Sequence, residues 1–350
     1  MRRAIFQIHL WVGVLAGVYI FIVSLTGAAL VFRIDMQRAL YPDLFTPRAR
    51  GPLADPVTVM ESVSRAYSDH KLSGVDAPTS ARPTYLAYVT RGTDFLTVLI
   101  DPVSAEVLGE LPDRTAIRAL QDLHFNLMLG RSGRAINGIG AACTLVMVVT
   151  GAWLWWTSRR NWRRAAWELH RTAGVWSAVF IAMWAMTGLS FGFPREFRSA
   201  VSVLSPISMG RAPQSPAPET SDTRARPSWR EQIATARGLA PGRPVARVVL
   251  PFDDRSAFLV MFATASPTPA GSALSAVYLD QFTGQILEAP QAAPSAGDRI
   301  MSWLVPIHVG DFGSRGLKAL WFIMGLAPPV LCVTGLTIWW TRVVRQRLIR

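Results

Sequence analysis

The sequence predicts a mainly helical membrane protein: a four-helix transmembrane bundle made by parallel duplication, with two small α+β domains outside the cytoplasm. Three observations lead there. Four apolar runs are long enough to cross a bilayer, arginines gather at alternate ends of these runs, and the second half of the chain repeats the first at fixed offsets.

The apolar runs come first. Half of the 350 residues are hydrophobic and the mean hydropathy is +0.26. The runs cover residues 9–32, 136–157, 172–193 and 318–340, each matching the roughly 20 residues that span a hydrocarbon core. The first follows Met1-Arg2-Arg3 as a signal peptide would. It exceeds the apolar length of about 7–15 residues usual there, and it has a counterpart later in the chain, so it reads as a retained helix.

Charge sets the expected orientation. The formal net charge of +13 raises the question of nucleic acid, but its placement argues against that partner. Arg2 and Arg3 precede run one; Arg159, Arg160, Arg163, Arg164 and Arg171 lie between runs two and three; Arg342, Arg345, Arg347 and Arg350 follow run four. Positive residues mark cytoplasmic loops. Both termini and the middle loop are therefore expected in the cytoplasm, and the two long connections outside it.

The repeat is exact at chemically distinctive positions. His9, Gly13, Val14, Thr26, Gly27 and Phe32 reappear as His170, Gly174, Val175, Thr187, Gly188 and Phe193, all 161 residues on. His124, Arg131, Arg134, Thr150-Gly151 and Trp155-Trp156 reappear 184 residues on as His308, Arg315, Lys318, Thr334-Gly335 and Trp339-Trp340. Runs one and three then cross in the same direction, which makes the duplication parallel, with a pseudo-twofold axis along the membrane normal. The connections repeat more weakly. Val98–Leu108 resembles Val277–Leu287, each a strand, turn and strand, and each follows a helical stretch (Pro56–Tyr67 and Trp229–Arg237).

The expected order is span one (1–33), first outer domain (34–114), interfacial segment and span two (115–157), and cytoplasmic loop (158–171). Span three (172–194), second outer domain (195–300), interfacial segment and span four (301–341), and a cytoplasmic tail (342–350) follow. Five prolines among serines make 205–227 a flexible linker or disordered loop. Cys143 and Cys332 sit in runs two and four, but the repeat places them five residues apart in depth, about 7–8 Å, so no disulfide or thiol metal site is expected.

Four of the five histidines are the matched pairs. An ionisable side chain at membrane depth is costly and marks function by default. Symmetry sets His9 against His170 near the cytoplasmic face, and His124 against His308 at the outer face. Two imidazoles are too few for a structural zinc, which takes four ligands. They suit a haem iron, whose other four ligands come from the porphyrin. Arg131, Arg134, Arg315 and Lys318 near the outer pair, and Arg171 beside the inner one, are candidate partners for haem propionates or for lipid phosphates. The paired tryptophans are expected in aromatic belts, and the Thr-Gly pairs in helix packing. His70 has no counterpart and is expected to be solvated.

These motifs are similar to those of the PepSY-associated transmembrane family, the iron-regulated inner-membrane proteins of bacteria that include ferric-siderophore reductases. The likeness rests on His9-x3-Gly13 with Thr26-Gly27, His170-x3-Gly174 with Thr187-Gly188, Leu123-His124 with Thr150-Gly151 and Trp155-Trp156, and Ile307-His308 with Thr334-Gly335 and Trp339-Trp340. It covers nearly the whole chain, and both outer domains look like PepSY domains. The resemblance implies two b-type haems, one on each side of the inner membrane, with electrons passing between them. The donor would be a separate flavoprotein or a quinol, and the acceptor a ferric siderophore or other ferric chelate in the periplasm. The competing reading is a non-catalytic regulator or anchor whose PepSY-like domains bind a periplasmic protease or envelope partner, without need of the histidines. A transporter is disfavoured, because no apolar run reads as broken at mid-membrane.

Overall fold

The computed structural model describes residues 1–157, 165–207, 212–216, 226–263, 274–289, 295–312 and 314–341. The arginine clusters of 159–164 and 342–350, and most of the 205–227 linker, lie outside these. The chain divides into two units. One holds Met1–Arg33, Ala116–Ser205 and the chain from Trp303; the other holds Ile34–Thr115 and Pro206–Ser302.

The first unit is helical. Four stretches are long and apolar enough to cross a membrane: α1 (Arg2–Leu30), α6 (Gly130–Trp156), α7 (Ala165–Gly192), and α11 (Arg315–Gly325) continued by α12 (Ala327–Trp339). Their apolar side chains point outward in numbers that water would not tolerate: Leu15 and Val18 of α1, Val149 of α6, and Trp176 and Val179 of α7 are more than half exposed. A lipid surround is the medium that accepts such faces. The spans pack around a ring, α1 against α6 and α12, and α7 against α6 and α12. Glycine makes the closest approach possible. A Cβ on Gly192 of α7 would lie 2.4 Å from the Gly138 Cα of α6, so here two backbones touch. Shorter helices adjoin the spans: α5 (Ala116–Asn126) before α6, α8 (Pro194–Leu204) after α7, and α10 (Ala296–Val309) before α11.

The fourth span departs from the sequence reading, which took it as unbroken. It is divided at Leu326, between α11 and α12. Pro328 and Pro329 are the cause, since neither has an N–H to give the preceding turn. The Leu326 N–H turns back to the carbonyls of Phe322 and Ile323 (3.1 and 3.2 Å).

The second unit is an α+β assembly. Its helices are α2 (Arg33–Leu40), α3 (Pro42–Phe45), α4 (Pro56–Ala66) and α9 (Trp229–Leu239). Its strands are β1 (Lys71–Asp76), β2 (Tyr85–Arg91), β3 (Asp94–Ile100), β4 (Val107–Leu111), β5 (Val245–Val249), β6 (Phe258–Ala263), β7 (Leu274–Leu279) and β8 (Ile286–Glu288). The sequence suggested two separate domains, but the strands form one antiparallel sheet in the order β4-β3-β2-β1-β5-β6-β7-β8. The join is β1 to β5, with Val75 opposite Val248 and Asp76 opposite Arg247. Gly74 permits it, because a Cβ there would lie 2.7 Å from the Val248 carbonyl oxygen. Asp76 and Arg247 form an ion pair across the join (Nη2 to Oδ2 2.7 Å), and the Tyr88 hydroxyl donates to the same carboxylate. Met60 and Val63 of α4 share one hydrophobic core with Ile233 and Ala236 of α9.

Each half of the sheet closes on an aspartate turn. Asp101 accepts from the backbone N–H groups of Arg48, Ala49, Val103 and Ser104. Burial alone would raise its carboxyl, but these four donors outweigh that and hold it at about 2. Asp280 makes the matching turn, with Thr283 Oγ1 donating at 2.6 Å. Two expectations fail in this unit. Ser215, inside the supposed flexible stretch, is buried, takes the Arg255 carbonyl with its N–H and accepts from the Gln281 N–H. The His70 side chain is only 8% exposed, because Asp69 bonds its Nδ1 and the Tyr67 ring packs edge-on against it.

Candidate functional site

The helical unit brings the four repeated histidines together as two pairs. His9 of α1 and His170 of α7 have ring centroids 6.3 Å apart with planes at 90°. His124 of α5 and His308 of α10 have centroids 6.1 Å apart with planes at 52°. The first pair projects from two spans that do not neighbour each other in the ring. The second projects from short helices that end just before α6 and α11.

Each ring is pinned by a threonine from the other span of its own repeat. His9 Nδ1 lies 2.8 Å from Thr150 Oγ1 and His170 Nδ1 2.9 Å from Thr334 Oγ1. His124 Nδ1 lies 3.2 Å from Thr26 Oγ1, and His308 Nδ1 2.6 Å from Thr187 Oγ1. The direction of these bonds follows from what each hydroxyl already does. Thr26, Thr150, Thr187 and Thr334 each donate their single proton to the carbonyl four residues back, at 2.8, 2.6, 2.9 and 2.8 Å. Such a hydroxyl can only accept from the imidazole, so Nδ1 carries the proton. For His124 the Val23 carbonyl oxygen, 2.9 Å from Nδ1, requires the same tautomer, since a carbonyl cannot donate. That leaves Nε2 with its lone pair in all four rings. Among the described residues no Nε2 has a hydrogen-bond partner.

The glycine after three of the four threonines clears the space. A Cβ on Gly27 would lie 2.7 Å from His124 Cε1; on Gly151, 3.1 Å from His9 Cε1; on Gly335, 3.3 Å from His170 Cε1. Gly188 is different, since its neighbour is Ala141 at 3.4 Å. Three of the Thr-Gly pairs, expected to serve helix packing, are thus seats of the imidazoles, while Gly188 packs against the neighbouring span as expected. The signal was present in the sequence. A hydroxyl beside a glycine, recurring at both offsets with the histidines, is what a pinned ring needs.

The basic residues are placed less informatively. Arg131 and Arg134 stand exposed in the first turns of α6, Arg315 exposed and Lys318 half-buried in α11, and Arg171 exposed beside His170. Arg131, Arg134, Arg171 and Arg315 make no hydrogen bond or ion pair among the described residues. Trp156 and Trp340 open outward as belt residues would, while the Trp339 indole N–H is buried and has no partner among the described residues. Among the described residues no cluster of three or more His, Cys, Asp or Glu could hold a metal ion. A metal at either imidazole pair would need its remaining ligands from elsewhere, as a porphyrin supplies them.

The fold and site define a membrane protein with transmembrane helices, two matched histidine pairs and an α+β unit on its long connections. The PepSY-associated TM region family matches residues 6–342, and the chain belongs to that family. It is also similar to an uncharacterized protein of Pseudomonas aeruginosa, 23% identical over an alignment of 254 positions that covers 65% of this chain and 64% of that protein.

Proposed function

We propose that the chain is a di-haem b transmembrane electron-transfer protein of the bacterial inner membrane that reduces ferric siderophores or other ferric chelates on the periplasmic side. One observation carries the haem reading: four imidazoles, each with Nδ1–H given to a threonine and Nε2 left free, arranged in two pairs. Their spacing fits one iron per pair. Metal–imidazole bonds of about 2 Å on both sides put the ring centroids about 6 Å apart, against 6.3 and 6.1 Å here. His9 and His170 would hold one haem, and His124 and His308 the other.

When bound, such a haem supplies one-electron chemistry without an open ligand position. The chain does the rest. The threonines fix the tautomer and make each ring a better donor, and the spans keep water from the pairs. Arg131, Arg134, Arg315, Lys318 and Arg171 would be cations close in sequence to the pairs for the propionates. The acceptor rests on the family resemblance. Ferrous iron binds hard oxygen donors less tightly than ferric iron does, so one electron delivered to a ferric chelate would release its metal.

The test is to reduce the purified protein chemically without oxygen and add ferric siderophores one at a time. Rapid haem reoxidation, with ferrous iron appearing in a ferrozine trap, is the expected result. Haems that stay reduced with every ferric chelate but reoxidise with another acceptor would remove the iron assignment and keep the conduit. A second reading, an anchor whose α+β unit binds an envelope partner, is favoured by a cleft of about 500 Å³ lined by Lys71, Arg226, Trp229 and Phe252. It predicts purified protein without visible absorption.

A further inference from the structure

We infer that Asn137, Trp184 and Trp321 are positioning residues for the His124–His308 pair, acting through the main chain of the helix ends that carry the two rings. This rests on the reading of the pairs as haem ligands. His124 lies two residues from the end of α5, and His308 is the last residue but one of α10. The final carbonyls of a helix have no partner within it, so the rings there sit on backbone that the helix does not hold. In both copies the spans supply what is missing. Asn137 Nδ2 of α6 donates to the His124 carbonyl at 2.7 Å. Trp184 Nε1 of α7 donates to the His308 carbonyl, and Trp321 Nε1 of α11 to the Ile307 carbonyl, both at 2.9 Å.

The repeat shows that this is a role and not a residue type. Asn137 and Trp321 stand 184 positions apart, matched exactly, yet one is an amide and the other an indole. What they share is an N–H aimed at a carbonyl of the histidine-bearing helix end. Trp184 matches Val23, whose own carbonyl takes the His124 Nδ1–H instead.

The backbone beside His124 needs holding. Leu127 and Met128 are consecutive non-glycine residues in the left-handed region, at φ +51° and +59°. Such a conformation is costly for a residue with a side chain and persists where surrounding structure fixes it. The turn doubles back so closely that a Cβ on Gly133 would lie 1.6 Å from the Asn126 carbonyl oxygen. Asn137 is one turn further along α6, and the Tyr19 hydroxyl of α1 donates to its carbonyl at 3.1 Å. The amide therefore ties the turn, and His124 with it, to the span. His9 and His170 lie within spanning helices and need no such bond.

The test is electron paramagnetic resonance and redox titration of the haem-loaded protein. Asn137→Leu keeps the size and removes the donor, Asn137→Gln keeps an amide, and Trp184→Phe with Trp321→Phe keeps the packing and removes both indoles. Asn137→Leu is expected to shift and broaden the low-spin signal of one haem and move its midpoint potential, with the other haem unaltered and Gln partly restoring the signal. The Trp double variant should move the same haem. Selective loss of that haem in either variant has the same meaning. Unaltered signals and potentials at full haem content in the Leu variant and the Trp double variant would overturn the inference. Where Asn137→Leu fails to fold, the Trp double variant decides. Wild-type protein free of haem is a distinct result, and it overturns the ligand reading itself.

Discussion

The two histidine pairs have the same spacing but different supports. His9 and His170 sit within long spanning helices, where every neighbouring carbonyl belongs to the helical ladder. His124 and His308 sit at the ends of short helices beside sharp turns, left-handed at Leu127 and Met128 in one copy and at Gly310 in the other. One pair inherits its position from secondary structure. The other is placed by side chains that reach it from the spans. The difference teaches that two histidine pairs can share one spacing while the way of holding them differs, and that at the second pair the support is an amide for one ring and indoles for the other.

The largest expected effect breaks the pairs one at a time. His9→Ala should remove one haem and leave the other, and His124→Ala should do the reverse. Haem content by pyridine haemochromogen, per chain, reads both. Equal haem content in both variants and wild type would sink the assignment of these ligands.

The threonines sharpen the comparison. Loss of an outer partner to a metal-bound histidine costs about 10–100-fold in affinity. Thr187→Val should reach that range at the His124–His308 pair, because Thr187 Oγ1, 2.6 Å away, is the hydrogen-bond partner of His308 Nδ1 among the described residues. Thr26→Val should cost less, because the Val23 carbonyl still accepts from His124 at 2.9 Å. Haem-transfer kinetics to apomyoglobin would rank the two variants, and the opposite order would contradict this account of the Nδ1 bonds.

Glycine substitutions should divide the same way. Gly27→Ala puts a Cβ 2.7 Å from His124 Cε1 and must displace the ring, whereas Gly188→Ala meets only Ala141 at 3.4 Å. The visible spectrum should change in the first variant and not in the second.

The smallest effect on the pairs is expected from the α+β unit. Asp101 is held at about 2 in the fold against about 3.9 unfolded, so its contribution is present above the unfolded value and is lost as pH falls toward 2. The shift corresponds to about 2.5 kcal/mol. Asp101→Asn should lower stability by about that much near pH 7, by less near pH 3, and leave the haem spectrum unchanged. A shifted spectrum would show that this turn and the pairs are coupled.

Much of this was legible in the sequence, and for physical reasons. Apolar length gives a span because a bilayer has a fixed thickness. The histidines matched by the sequence offsets are the ones that pair. Other features depend on contacts that no spacing encodes. Thr26 and Thr150 look like packing residues until their hydroxyls are seen at His124 and His9. The two half-sheets read as separate domains because pairing of β1 with β5 needs only a glycine at 74 and an Asp76–Arg247 ion pair, both commonplace in a sequence. Asn137 and Trp321 carry no signal in the sequence because they match in position but not in type. Leu326 escaped because Pro328 and Pro329 lie in an otherwise apolar run.

The most direct test of the central claim is the visible absorption and haem stoichiometry of the purified protein. The account predicts two b-type haems per chain, low-spin in both oxidation states, falling to one in His9→Ala and in His124→Ala. Well-folded protein that binds no haem, even when haem is supplied during expression and again after purification, would contradict it.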